Sequence, residues 1–140
     1  MKRTRISFYV VILILMSIIL IGCMPKVQNP IAKLEQEVVS VNFLKVNDTE
    51  ELLLELEKEK IPDFLDQLKE IPCYMIMNDP PESTEGETVK LSFADGSYML
   101  INYMNIAIHK DGEVDHDAYY FKKEHFFDLW DKYVEVSDEK

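Results

Sequence analysis

The chain has 140 residues, 26 of them acidic against 15 basic, for a formal net charge of −11 with histidine neutral. Binding nucleic acid rests on cations that neutralise phosphates, so this balance excludes nucleic acid as a partner. Two cysteines, Cys23 and Cys73, supply no disulfide framework, and a length of this order carries one small core.

The first element is an apolar run. Lys2, Arg3 and Arg5 precede Ile6 to Ile21, which is 16 residues long, short of the ~20 that a permanent spanning helix needs at ~1.5 Å of rise each. A cationic start, a short apolar segment and a small-residue junction are the three parts of a secretory signal. The junction reads Leu20-Ile21-Gly22-Cys23, with glycine directly before cysteine in place of the small-x-small end of an ordinary signal. These four residues resemble the lipobox of bacterial lipoproteins. The resemblance implies that the Cys23 thiol receives a diacylglyceryl group, that residues 1–22 are removed, and that Cys23 becomes the first residue, lipid-anchored on the extracytoplasmic face of the cell membrane. Two acyl chains hold stably where one is marginal, because each buried methylene contributes about 0.8 kcal/mol. An uncleaved short anchor is the alternative.

Without the signal, 12 lysines and no arginine face 26 acids, a formal charge of −14. The missing arginine removes the planar fork that grips carboxylate or phosphate through two parallel hydrogen bonds. The commoner use of such a charge is to keep a domain soluble and off the bilayer, and it leaves basic proteins open as partners.

Residues 23–37, with Pro25 and Pro30 and little apolar periodicity, read as a lipidated cysteine followed by a flexible tether that lifts the domain off the membrane. The domain spans 38–136, and 137–140 form a tail. Val38 to Val46 reads as a strand ending at the turn formers Asn47 and Asp48. Glu50 to Lys60 is ambiguous, since its composition suits a helix while Leu52, Leu54 and Leu56 alternate as in a returning strand over Glu51 to Glu57. Ile61, Phe64, Leu65, Leu68 and Ile71 recur at helical spacing behind Pro62 and stop before Pro72, which predicts a helix. Cys73 to Met77 reads as a strand in which Cys73 is a small buried hydrophobe, and Asn78 to Gly86 as a loop.

Val89, Leu91 and Phe93 alternate toward Asp95-Gly96, a two-residue hairpin signal that sets Phe93 against Tyr98 and Leu91 against Leu100. The return strand, Ser97 to Tyr103, is apolar on both faces and therefore central. Asp111-Gly112 invites a second hairpin, but a strict two-residue turn would place Asp115 and Asp117 on the face of Ile108 and Ile106. Burying unpaired carboxylates costs several kcal/mol, so Lys110 to Asp117 is expected as an exposed loop and Ala118 to Phe121 as the last strand. Phe126, Leu129, Trp130, Tyr133 and Val134 close the chain on a core-packing helix from Lys123 to Val134.

The resulting class is α+β: an antiparallel sheet of about five to six strands with helices on one face, in the order ββαββββα, or βααββββα if Glu50 to Lys60 is helical. Asn78-Asp79-Pro80-Pro81, Ala94-Asp95-Gly96-Ser97 and Tyr119-Tyr120-Phe121 before a closing helix are similar, in order and loop spacing, to small uncharacterised lipoproteins of Gram-positive bacteria. That resemblance covers Glu57 to Tyr133 and implies no activity. One departure is Lys122-Lys123, where such chains open the last helix with a capping Asp or Asn; Glu124 substitutes through the helix dipole.

No catalytic constellation is present. Asp111, Asp115, His116 and Asp117 crowd one segment and offer oxygen ligands for a hard cation, but they lack the alternating acids and central glycine of the helix-loop-helix calcium motif; a solvated hairpin tip is the plainer reading. His109, His116 and His125 do not have zinc spacing, the serines stand in no hydrolase motif, and no cofactor is implied. Tyr98, Tyr103 and Tyr119 on strands, together with Asp79, Pro80 and Pro81 in the rigid loop, are the candidate contacts for a protein partner. The function these features favour is a non-enzymatic, membrane-tethered binding domain. An inhibitor or immunity-type protein that meets a basic extracellular enzyme or toxin, and an enzyme with an unrecognised site, are the alternatives.

Overall fold

The structure is a computed structural model that describes residues 26–75, 85–117 and 119–135. In chain order its elements are β1 (Lys26–Val27), β2 (Val38–Val46), β3 (Glu50–Glu55), α1 (Ile61–Glu70), β4 (Cys73–Met75), β5 (Gly86–Phe93), β6 (Tyr98–Ile101), β7 (Ile106–Lys110), β8 (Glu113–Asp117), β9 (Tyr119–Phe121) and α2 (Lys123–Val134), with 3-10 turns at Pro30–Lys33 and Lys58–Lys60. The class is α+β as expected, but the strands divide into two antiparallel sheets, β3-β2-β5-β6-β7-β8 and β1-β4-β9. Neither single-sheet order, ββαββββα or βααββββα, describes this arrangement.

The division starts at Asn102. Its Oδ1 accepts from the backbone N–H groups of Met104 and Asn105, both at 2.8 Å, an Asx-type turn that ends β6 at Ile101 instead of Tyr103 and sends the chain back as β7. Tyr103 is thereby turned toward β9, and its carbonyl accepts from the Phe121 N–H at 2.9 Å. β9 pairs in turn with β4, Cys73 opposite Phe121, and the small sheet closes on the same core. Glu50–Glu55 is the returning strand that the leucine alternation favours: Leu54 packs toward the core while Leu52 points away, and a bulge at Leu53 separates them.

Two Asp-Gly pairs make two different turns. At Asp111-Gly112 both residues hold positive φ, 53° and 82°, and Lys110 pairs directly with Glu113, the two-residue hairpin. Lys110 to Asp117 is therefore hairpin and strand, correcting the expected loop. The register is the one feared, with Asp115 opposite Ile108 and Asp117 opposite Ile106; it is tolerated because β8 is the sheet edge, where Asp115 is exposed and Ile108 only half-buried.

At Ala94-Asp95-Gly96 the loop has three residues: the Gly96 N–H donates to Phe93 O at 3.1 Å and the Phe93 N–H to Ser97 O at 2.9 Å. Gly96 takes φ +87° as the bulge of a type I turn. This shifts the predicted pairing by one, so that Leu91 meets Met99 and Ser92 meets Tyr98. Met99 and Ile101 consequently join the core face, and Tyr98 and Leu100 go to the opposite one. A Cβ at Gly96 meets nothing within 4 Å, so Gly96→Ala should cost only the left-handed backbone penalty, about 1 kcal/mol, read as a lowered urea midpoint with an unchanged slope.

The main core lies between the large sheet and both helices. Phe43, fully buried, stands at its centre with ring centroids 5.4 Å from Phe64 on α1 and 5.1 Å from Trp130 on α2. Pro62 sits in the first turn of α1 as predicted, and Phe126, Leu129 and Trp130 form the buried stripe of α2. No side chain caps α2, which leaves Glu124 in its first turn to oppose the dipole.

The expected tether is corrected from Lys26 onward. β1 pairs with β4, Lys26 opposite Tyr74 and Val27 opposite Cys73. Ile31 is fully buried in the main core. Asn29 locks the segment to the end of α1: its Nδ2 donates to Leu68 O at 2.8 Å and Ile71 O at 3.1 Å, while its Oδ1 accepts from the Ile31 N–H at 2.9 Å. These are carbonyls of the last turn, where i→i+4 donors run out; Leu68 O otherwise has only the Ile71 N–H at 3.3 Å. The folded domain therefore begins before Val38.

Candidate functional site

A concavity of about 530 Å³ lies between the start of β2 and the outer side of α1. Its apolar floor is Leu34, Val38, Val39, Ile61, Pro62 and Leu65, and Glu37, Lys58, Asp66 and Lys69 provide charges of both signs along it. The floor exists because α1 turns Ile61 and Leu65, one helical turn apart, toward β2. Val39 is 41% exposed. β3 accompanies β2 only as far as Val41, whose carbonyl accepts from the Leu56 N–H at 2.9 Å. Beyond it no described strand flanks this side of Val38–Ser40, and the groove runs beside an open sheet edge of the kind that accepts a further strand.

The far face of the large sheet carries a second cluster, Leu44, Leu100 and Ala107, flanked by Val46 and Tyr98. Tyr98 stacks on His109 with ring centroids 4.4 Å apart and planes 11° apart, and Lys90 Nζ lies 4.2 Å over the same ring. Burial, then the neighbouring His116 imidazole, holds the His109 imidazole below its ordinary pKa; Glu50 opposes this and Lys90 adds to it. Asn42 Oδ1 and His116 Nδ1 are buried here without a hydrogen-bond partner.

The three tyrosines expected as one contact surface are not together. Tyr98 is engaged by Lys90 and His109 on the far face, whereas Tyr119 and Tyr103 both pack against the main core, Tyr103 also beside Tyr120 of the small sheet. A cleft of about 280 Å³ between the helices is lined by Gln67, Glu70, His125, Asp128 and Lys132. Glu70, His125, Asp128 and Lys132 are all exposed, whereas acid–base chemistry calls for titratable groups in contrasting, desolvated surroundings. Beside the cleft the Tyr133 hydroxyl donates to Asp63 Oδ2 at 3.0 Å and accepts from Gln67 Nε2 at 2.9 Å, tying the two helices. Burial, and then Asp63, raises the Tyr133 hydroxyl above its ordinary value.

Cys73 is 1% exposed beneath the small sheet, and burial pushes its thiol up to about 12. At pH 8 it holds roughly three orders of magnitude less thiolate than a cysteine near 8.5. Ellman's reagent should therefore leave Cys73 untouched in the native chain and react promptly after guanidinium is added; rapid native labelling would refute its burial.

Asp111 sits in the hairpin turn and Asp115 points outward on β8; among the described residues no three His, Cys, Asp or Glu side chains gather to hold a metal ion. Cys23, Asp79, Pro80 and Pro81 lie outside the described residues, as does Ala118, so the last strand is described from Tyr119. No described helix is long and apolar enough to cross a membrane. The groove at Val38–Ser40 escaped sequence reasoning because its floor draws on residues far apart in the chain; its one local signal is the adjacent pair Val38-Val39, which breaks strict alternation. Comparison with family models, with curated proteins and with solved structures gives no match.

Proposed function

We propose that this protein is a lipoprotein anchored through Cys23 on the extracytoplasmic face of a bacterial membrane, where its α+β domain binds an extended segment of a protein partner rather than carrying out a reaction. The anchor rests on the lipobox Leu20-Ile21-Gly22-Cys23 behind a short apolar run. The binding role rests on one observation, the apolar groove of about 530 Å³ beside the open edge of β2 at Val38–Ser40. An added strand gains main-chain hydrogen bonds there, and Val39, Ile61 and Leu65 offer seats for its alternate side chains.

A photo-crosslinking residue in place of Val39, in cells making the full chain, should capture one protein that a probe at Val114, 47% exposed on β8, does not. Equal capture at both positions would remove the groove from consideration. The charge of −14 on the mature chain favours the second reading, an inhibitor of a basic enzyme or toxin, if the captured protein is strongly basic.

A further inference from the structure

The outer face of the small sheet carries Lys26, Tyr74 and Tyr120 in a row, and Tyr103, which also packs against the main core, extends it at one end. Lys26 on β1 stands opposite Tyr74 on β4, and Tyr74 opposite Tyr120 on β9. Neither Tyr74 nor Tyr120 belongs to the core cluster that takes Val27, Cys73 and Phe121 from the same three strands, so both rings lie on the outer face. Tyr103, bonded to the far edge of β9 through Phe121, brings its ring centroid 6.2 Å from that of Tyr120 and 5.6 Å from that of Phe127. Lys123 Nζ lies 5.3 Å over Tyr103 and 5.9 Å over Phe127. A half-buried aromatic strip is thus flanked by Lys26 at one end and by the exposed Lys122 and Lys123 at the other, with Glu124 the acid next in the chain.

The strip begins three residues from the proposed lipid. Because Lys26 is already paired in β1, the chain between Cys23 and the fold spans at most about 11 Å at 3.3–3.6 Å per residue. A 15-residue spacer would let the domain tumble; three residues hold the β1 edge within headgroup range. From this geometry we infer that the Lys26–Tyr74–Tyr120–Tyr103 face docks on the anionic phospholipid surface itself. Tyrosine rings lie at headgroup depth with the hydroxyl toward water, and lysines beside them meet lipid phosphates. The carboxylates that give the mature chain its charge of −14 are repelled by the same surface, which orients the molecule with this face down. The inference rests on the lipid anchor proposed above and deepens it by fixing which way the domain sits.

The test uses the mature full chain in vesicles of phosphatidylglycerol and phosphatidylcholine that carry a lipid with a photoactivatable headgroup. Crosslinks assigned to single residues should fall at Tyr74, Tyr103, Tyr120 and Lys123 and be missing at Leu52 and Val114. Lys26→Gln and Lys123→Gln, both at exposed positions outside the core, should each lower the yield about five-fold, the factor one cation contributes beside an anionic leaflet. Crosslinks confined to residues 23–25 on a chain whose mass shows lipid at Cys23 would overturn docking and leave the anchor standing. A mass without lipid at Cys23 would overturn both. Protection of the tyrosine row in whole cells but not in vesicles would assign the face to a protein and also overturn docking.

Discussion

Phe43→Ala is expected to remove about 3–5 kcal/mol from the unfolding free energy, the cost of truncating a fully buried aromatic where the surroundings cannot collapse into the space. Phe43 lies on β2 with no exposure, and its neighbours come from both helices: Phe64 at 5.4 Å, Trp130 at 5.1 Å and Tyr133 at 6.0 Å between ring centroids. None of these can move in without leaving another contact, since Phe64 also meets Tyr133 edge-on at 5.3 Å. Domains of this size are held by about 5–15 kcal/mol in total, and each kcal/mol shifts the melting temperature by roughly 4–8 °C. A fall of at least about 12 °C in a thermal melt, with fluorescence of the single tryptophan reporting loss of its packing, is the expected reading. A loss below 1 kcal/mol would mean that β2 does not carry the central layer.

How far the sequence reveals this fold depends on whether a feature is local. α1 was legible from Pro62 in its first turn, Pro72 after its end and a three-four apolar spacing, and α2 from that spacing alone; all are local signals, and both helices fall where these place them. The hairpin signals were legible as turns but not as registers. Asp95-Gly96 and Asp111-Gly112 have the same two residues, yet the first is a three-residue bulged loop and the second a two-residue turn, a choice made by what the flanking strands bury. Met99 and Ile101 fill the core face only in the bulged register. The split into two sheets depends on the Asn102 turn and on pairing between β4 and β9, whose partners Cys73 and Phe121 are too far apart in sequence for periodicity to connect. The candidate groove shares that character, joining Val38 and Val39 to Ile61 and Leu65. The far-face stack of Lys90, Tyr98 and His109 was hidden for the same reason as the register that creates it.

Residues 26–34 read as a spacer because Pro25 just before them, Pro30 within them and the lack of apolar periodicity hide one buried side chain, Ile31, and one cap, Asn29. Asn29→Asp tests that docking more sharply than truncation does. The amide nitrogen now donates to the carbonyls of Leu68 and Ile71, and Asn29 is 7% exposed. A carboxylate of nearly the same shape keeps the acceptor for the Ile31 N–H but turns a negative oxygen toward two carbonyl oxygens, which lose the Asn29 amide and keep only the Ile71 N–H at 3.3 Å on Leu68 O and the Cys73 thiol at 3.7 Å on Ile71 O. Leaving buried groups unsatisfied costs about 1–3 kcal/mol, more where one is charged, so N29D should lose at least ~3 kcal/mol at pH 7 and more than Asn29→Ala. Burial and the two carbonyls favour the neutral acid, raising the folded-state pKa above the ordinary ~3.9 of an unfolded aspartate. The penalty is therefore complete above that raised value and fades as pH falls through it, because the protonated carboxyl again has a hydrogen to donate. Urea midpoints of N29D measured against the original chain at pH 7 and at pH 4.5 should converge toward the lower pH. Equal midpoints at pH 7 would detach the segment from α1, restore a long tether behind Cys23, and remove the short span on which membrane docking of the tyrosine face depends.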